Sequence, residues 1–328
     1  MKFENSNKTL VDRIHNHPKI RAARSSARTY ASTIRRVGDQ FGGGYKDNLL
    51  FLNKPELLEK IKKHDSSLSV KRNLVNAVIC GLKLNPNEKL SDKYHKYLLE
   101  LNRLVDEHNK SGKLTKKQSE KMIPWAKIVK LQKHLAKSIR LSQVYKQKTV
   151  GARDLRSINQ YVALSCYVLT PPVRLDWASV TFHNKKGFGN IKEKTGNYLV
   201  VTRNTVTVYW NAYKTFRHHG PLSNVLPKNL SRILRKHVRF MKTVFPNNER
   251  LFLNSRFEPL TRQNLGKLLE TLFNNFFKKR ISVSALRRIY LSSKYSHSVI
   301  REARKDAELM HHTVNEAQNS YIKKNDDK

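Results

Sequence analysis

Apolar residues recur at helical spacing along most of the chain, and short β-branched runs interrupt that pattern once. Residues 18–37 place Ile20, Ala23, Ala27, Ile34 and Val37 on one helical face, with Pro18 suited to a first turn. Arg21, Arg24, Arg28 and Arg35 form a separate stripe with no carboxylate among them. Such a stripe is either a solvated helix face or a set of phosphate contacts. FGGGYKDN, residues 41–48, breaks the helix, and PELLEKIKKH and SVKRNLVNAVICGLKLN then read as further amphipathic helices. The first 100 residues are thus expected to be all-helical. After the polar, lysine-rich stretch 108–120, WAKIVKLQKHLAKSI carries Trp125, Ile128, Leu131 and Leu135 on one face. A domain boundary is expected near residues 140–150, dividing the chain into 1–145 and 146–328.

Beyond that boundary, Leu155 to Leu169 reads as a buried helix ended by Thr170, Pro171 and Pro172, because a proline disfavours helical backbone at the residue before it. Residues 197–201 and 205–210 are strand-like runs separated by a short turn, with a third short strand near 223–226. NLSRILRKHVRFM, TRQNLGKLLETLFNNFF, SALRRIYLSS and HTVNEAQNSYIKK return to helical spacing. The fold class is therefore mainly α with a small antiparallel β-sheet.

Charge narrows the function. The 328 residues include 65 Lys or Arg and 25 Asp or Glu, a formal charge of +40. The simplest compensating partner is a polyanion, and nucleic acid fits better than a membrane surface. With 38% hydrophobic residues the chain has material for real cores. Cys80 and Cys166 lie far apart with no CxxC pair, which argues against a disulfide framework or thiolate metal site and fits a reducing, intracellular setting. The start lacks an apolar signal region, and no apolar stretch reaches membrane-spanning length, so a soluble protein is expected. His218, His219, His311 and His312 invite a metal reading, but adjacent histidines point to different helix faces and no carboxylate or cysteine shares their spacing. No metal and no cofactor are expected.

Five polar residues stand at element edges: Arg174 in TPPVRLDW, Lys214 in YWNAYKT, Arg287 in SALRRIYLSS, and His312 and Tyr321, nine residues apart, in LMHHTVNEAQNSYIK. In this order and context the chain resembles the tyrosine recombinase, or phage-type integrase, family over most of its length. TPPVRLDW resembles the family's first arginine box, and YWNAYKT resembles the hairpin carrying its lysine. SALRRIYLSS resembles the HxxR box, with Ser284 where the family has histidine, and LMHHTVNEAQNSYIK resembles the final His–Tyr box. SARTYASTIRRV and SVKRNLVNAVICGLKL resemble the helical core-binding domain that clamps the other side of the duplex. The Pro-Pro and the KT look like versions found in large DNA viruses and eukaryotic mobile elements.

The resemblance implies a catalytic domain following a core-binding domain, double-stranded DNA as partner, and a homotetramer on paired sites. It implies integration or excision of DNA, such as a mobile element or viral genome. Only seven residues follow Tyr321, whereas many family members extend further and dock that segment on a neighbouring subunit. Arg21, Arg24, Arg28, Arg35, Arg217 and Arg288 are the candidate DNA contacts. Lys192 and Lys194 also precede a strand and compete with Lys214 for the lysine role. Taken singly, Tyr321 reads as a packing residue, Arg174 as a helix C-terminal partner, and Arg287 and Arg288 with Lys278, Lys279 and Arg280 as a phosphate-positioning patch.

Metal-free DNA cleavage needs a nucleophile, charge neutralisation at the phosphate and a proton for the leaving oxygen. A phenol with pKa near 10 is only about 0.1% ionised at pH 7, so Tyr321 needs nearby positive charge or a base, for which His312 is placed. Arg174 and Arg287 can fork onto the non-bridging oxygens. A lysine ammonium can yield a proton to the departing 5′ oxygen, which suits Lys214, whereas a guanidinium practically cannot. Serine cannot shuttle a proton as histidine does, so Ser284 would act through hydrogen bonding. The rival readings are a type IB topoisomerase, which shares this chemistry and rejoins the same strand, and a non-catalytic basic DNA-binding protein in which Ser284 marks lost activity.

Overall fold

A computed structural model describes residues 10–310, in two compact units that divide at Lys113 and Leu114. The fold is mainly helical with one small four-stranded mixed sheet.

In the first unit, α1 (Arg24–Phe41) turns Ala27, Ala31, Ile34, Val37 and Phe41 inward at spacings of three and four. α2 (Glu56–Lys63) contributes Leu57, Leu58 and Ile61. α3 (Leu68–Leu84) is buried almost continuously from Leu74 to Leu82 and forms the centre against α1 and α4 (Glu88–Lys110). Gly81 lets the turn Leu50–Asn53 pack close against α3, since a Cβ there would stand 2.4 Å from Leu52 Cδ1. The first helix differs from expectation at its start. Residues 10–15 form a separate helical turn, Pro18 lies in the connection, and Arg21 adopts a left-handed backbone with φ 49°. Its N–H bonds back to His17 O, because His17, preceding proline, closes a turn instead of starting a helix.

The second unit begins earlier than the expected division near residue 145. In α5 (Trp125–Leu141), Ile128, Leu131 and Ile139 share one core with Leu155, Ile158 and Val162 of α6 (Ala152–Val168). Gln132 of α5 donates to Ser165 Oγ of α6 at 3.0 Å within that interface. The lysine-rich stretch before α5 is therefore the junction; α4 ends there at Lys110, and Gly112 just beyond its cap turns the chain with φ 69°.

The sheet contains β1 (Val180–His183), β2 (Asn197–Val201), β3 (Val206–Trp210) and β4 (Leu222–Val225), in that spatial order. β2–β3 and β3–β4 are antiparallel, but β1 pairs with β2 in parallel, so the sheet is mixed and not purely antiparallel. The reason is the connection over residues 184–196, whose helical turn Lys185–Gly189 carries the chain back to the starting end of β1 before β2 begins. After the sheet come α7 (Lys228–Val244), which packs on β3, then α8 (Arg262–Phe277), α9 (Val283–Lys294) and α10 (His297–Leu309). No helix of the described residues is long and apolar enough to cross a membrane.

Candidate active site

Arg174 follows the Pro171–Pro172 break and caps the 3-10 turn Leu175–Ser179. Its backbone is fixed from α6, where the buried Tyr167 hydroxyl donates to Arg174 O at 2.7 Å. Burial pushes the Tyr167 phenol well above its ordinary pKa, so it is a neutral donor at physiological pH. Two residues on, the Asp176 side chain points inward and is 4% exposed. Arg262, the first residue of α8, pairs with Asp176 Oδ1 at 2.9 Å. That contact is an ion pair without an aligned hydrogen bond, leaving the oxygen short of a donor.

Arg287 arrives from α9. Its Nε donates to Pro172 O at 3.2 Å, across 115 residues of sequence, and so joins α9 to the Arg174 segment. Burial raises the Asp176 pKa, while Arg262, Arg174 and Arg287 all oppose that rise. Arg262 thus pairs with this buried carboxylate, and the charges of Arg174 and Arg287 also act on it, so positive charge exceeds negative around Asp176. The Arg174 and Arg287 side chains are both half-buried, and the Arg174 guanidinium has no hydrogen bond among the described residues. Partial desolvation strengthens the pull of such a cluster on an oxyanion, and two forked donors suit the paired oxygens of a phosphate.

Lys214 lies on the β3–β4 connection. The start of that segment is pinned by Asn197, whose Oδ1 accepts from the N–H groups of Asn211 and Ala212 at 3.1 and 2.9 Å. The same side chain donates to Ala212 O and Ser179 Oγ at 3.0 Å each, tying the lysine segment to the turn that follows Arg174. The far end closes through Tyr213 OH donating to Gly220 O at 2.7 Å, with Gly220 at φ 65°. Lys214 and Arg217 are exposed and line an open hollow together with Arg262. Lys194, by contrast, donates to Ile191 O at 3.0 Å and lies over the Phe188 ring, so its ammonium is engaged within its own loop.

Ser284 sits one turn before Arg287 on α9, exposed and without a side-chain hydrogen bond. Arg288 is half-buried beside Arg287 in sequence. His312 and Tyr321 lie outside the described residues. Among the described residues, no three His, Cys, Asp or Glu side chains come together as a metal site would require.

In the first unit the expected arginine stripe is only partly formed. Arg21 is off the helix and donates through Nε to Pro18 O. Arg24 is on α1 but pairs with Asp12 at 2.9 Å, a carboxylate brought in by the turn at residues 10–15. Arg35 lies over the Tyr45 ring, and Arg28 is exposed.

Two members of the cluster were not among the sequence candidates. Asp176 is the one charged residue in LDWASV. Arg262 is a cation in the first turn of a helix, where the dipole disfavours it unless an anion stands by. Comparisons with protein-family models, with curated proteins and with solved structures return no match.

Proposed function

We propose that the chain is a DNA strand-transfer enzyme of the tyrosine-recombinase kind, cutting and rejoining DNA through a 3′-phosphotyrosine intermediate for integration or excision. One observation carries the reading: Arg287, far from Arg174 in sequence, bonds to the Pro172 carbonyl just before it, both charges act on Asp176, and Lys214 lines a hollow together with Arg262.

In this reading the two guanidiniums hold the non-bridging oxygens of the scissile phosphate. The Tyr321 oxygen attacks phosphorus, losing its proton to His312 as the new bond forms. The bond from phosphorus to the 5′ oxygen breaks, and Lys214 supplies the proton that the leaving oxygen takes up. The phosphotyrosine keeps the energy of the phosphodiester, so rejoining to the same or another strand needs neither ATP nor metal. Ser284 donates a hydrogen bond at the phosphate. The recombinase reading extends to a homotetramer on paired duplex sites, with the helical first unit gripping the opposite side of the duplex. That unit favours a recombinase over a type IB topoisomerase.

The test is cleavage of nicked duplexes in EDTA by wild type, Arg174→Ala and Arg287→Ala. Each variant is expected to bind DNA and to cleave about 10²- to 10³-fold more slowly. Cleavage by either at the wild-type rate contradicts the assignment.

A further inference from the structure

α7 (Lys228–Val244) carries Lys228, Arg232, Arg235, Lys236, Arg239 and Lys242 and no acidic residue. Its opposite face, from Leu230 through Leu234 and Val238 to Met241, is buried in the core. At 100° per residue Lys228, Arg232, Arg239 and Lys242 fall in one row, and all four are exposed. The row spans about 21 Å at 1.5 Å per residue, or about six base steps of a duplex.

The helix itself brings no acidic residue to compensate this row. Lys228 and Arg232 are like charges one turn apart, as are Arg239 and Lys242, and such pairs destabilise a helix. Lys228 also stands in the first turn, on the wrong side of the helix dipole, behind a Pro227 cap that offers no side-chain acceptor. None of the four is in an ion pair among the described residues. Glu249 lines a hollow with Lys242 and His183 at one end of the row.

The row is also remote from the lysine segment. Arg235 Nε donates to Thr202 O at the β2–β3 turn, and Leu226, just before α7, bonds to Val206 O at that same end. Lys214 leaves from the opposite end, beyond the Asn197–Trp210 pair, a strand length of about 13 Å away.

We propose that Lys228, Arg232, Arg239 and Lys242 form a second surface for the phosphate backbone of a DNA duplex, separate from the Arg174–Arg287 site. The identity of the partner rests on the DNA reading of that site. A chain with two such faces can hold one duplex for cleavage and a second, or a distant stretch of the same one, alongside it.

The test is the quadruple variant Lys228→Gln, Arg232→Gln, Arg239→Gln, Lys242→Gln, its folding verified by circular dichroism. The double variant Arg232→Gln, Lys242→Gln replaces it should the quadruple not fold. Three quantities are read: the salt dependence of binding to a long duplex, capture of a second labelled duplex by protein on an immobilised one, and covalent adducts with a nicked duplex. The quadruple variant is expected to lower the slope of log affinity against log salt by about three to four, and the double variant by about two. Second-duplex capture should drop at least tenfold with adduct yield unchanged. An unchanged slope and capture overturn the proposal. So does a parallel loss of adducts, which would assign the row to the cleavage interface, or a variant that loses affinity for polyglutamate but not for duplex, which would assign it to an acidic protein. Should neither protein form adducts while the slope still falls, the strand-transfer reading fails and the second surface stands.

Discussion

Burial raises the Asp176 pKa, and the nearby charges of Arg262, Arg174 and Arg287 offset that rise only in part. A raised folded pKa sets the sign of its pH effect. The contribution of this group to stability is full below the unfolded value of about 3.9 and is lost as pH rises through the higher folded value. Asp176→Asn removes that loss while keeping the shape, so its stability relative to wild type should grow between pH 4 and pH 7 in urea unfolding. Its cleavage should fall about 10²-fold as Arg262 loses its ion-pair partner and Arg174 and Arg287 lose a neighbouring negative charge. A variant that loses stability with rising pH relative to wild type would contradict this. Tyr167→Phe removes the 2.7 Å bond to Arg174 O and should cost about 1 kcal/mol, with cleavage impaired through a misplaced Arg174. At this scale Arg174, Arg287 and Lys214 could be singled out as candidates because each lies in a local sequence context. Asp176 and Arg262 were not, because their meaning lies in a pairing between residues 86 positions apart that no local window contains.

Asn197 organises the elements around that cluster, since one side chain satisfies two N–H groups of the lysine segment and donates to both Ala212 O and Ser179 Oγ. Asn197→Ala should therefore cost about 2–3 kcal/mol in urea unfolding, and the Ala212 amide should exchange with solvent much faster. Unchanged exchange at Ala212 would show that the segment is held by other means. The β-branched runs of β2 and β3 made those strands readable. β1 was not, because four residues emerging from a 3-10 turn give too short a pattern. Its parallel pairing follows from the path of residues 184–196, which composition does not encode. The arginine stripe of α1 looked free of carboxylates because Asp12, which meets Arg24, comes from outside the helical window.

At the scale of the molecule, the heptad-like face of α5 was legible but its allegiance was not: a helix beside a polar stretch can join either neighbour, and the shared core with α6 decides it. Within the second unit His237 is fully buried, its Nε2 bonded to Leu251 O at 2.7 Å, and burial lowers its pKa to about 4. The unfolded chain takes up that proton first, so stability should fall by on the order of 3 kcal/mol as pH drops from about 6.5 to about 4. In His237→Gln that dependence should vanish whatever the absolute stability. A charge of +40 also predicts DNA affinity falling about 10³- to 10⁵-fold between 50 and 200 mM salt, with six to ten phosphates contacted, measured by titration. The proposed strand transfer requires a phosphotyrosine intermediate. The most direct measurement incubates the protein with nicked duplexes in EDTA, digests any covalent adduct and maps the nucleotide-bearing peptide by mass spectrometry, with Tyr321→Phe alongside. A nucleotide joined to Tyr321, absent from the phenylalanine variant, is the predicted result; DNA binding without any adduct, or an adduct on another residue, would contradict it.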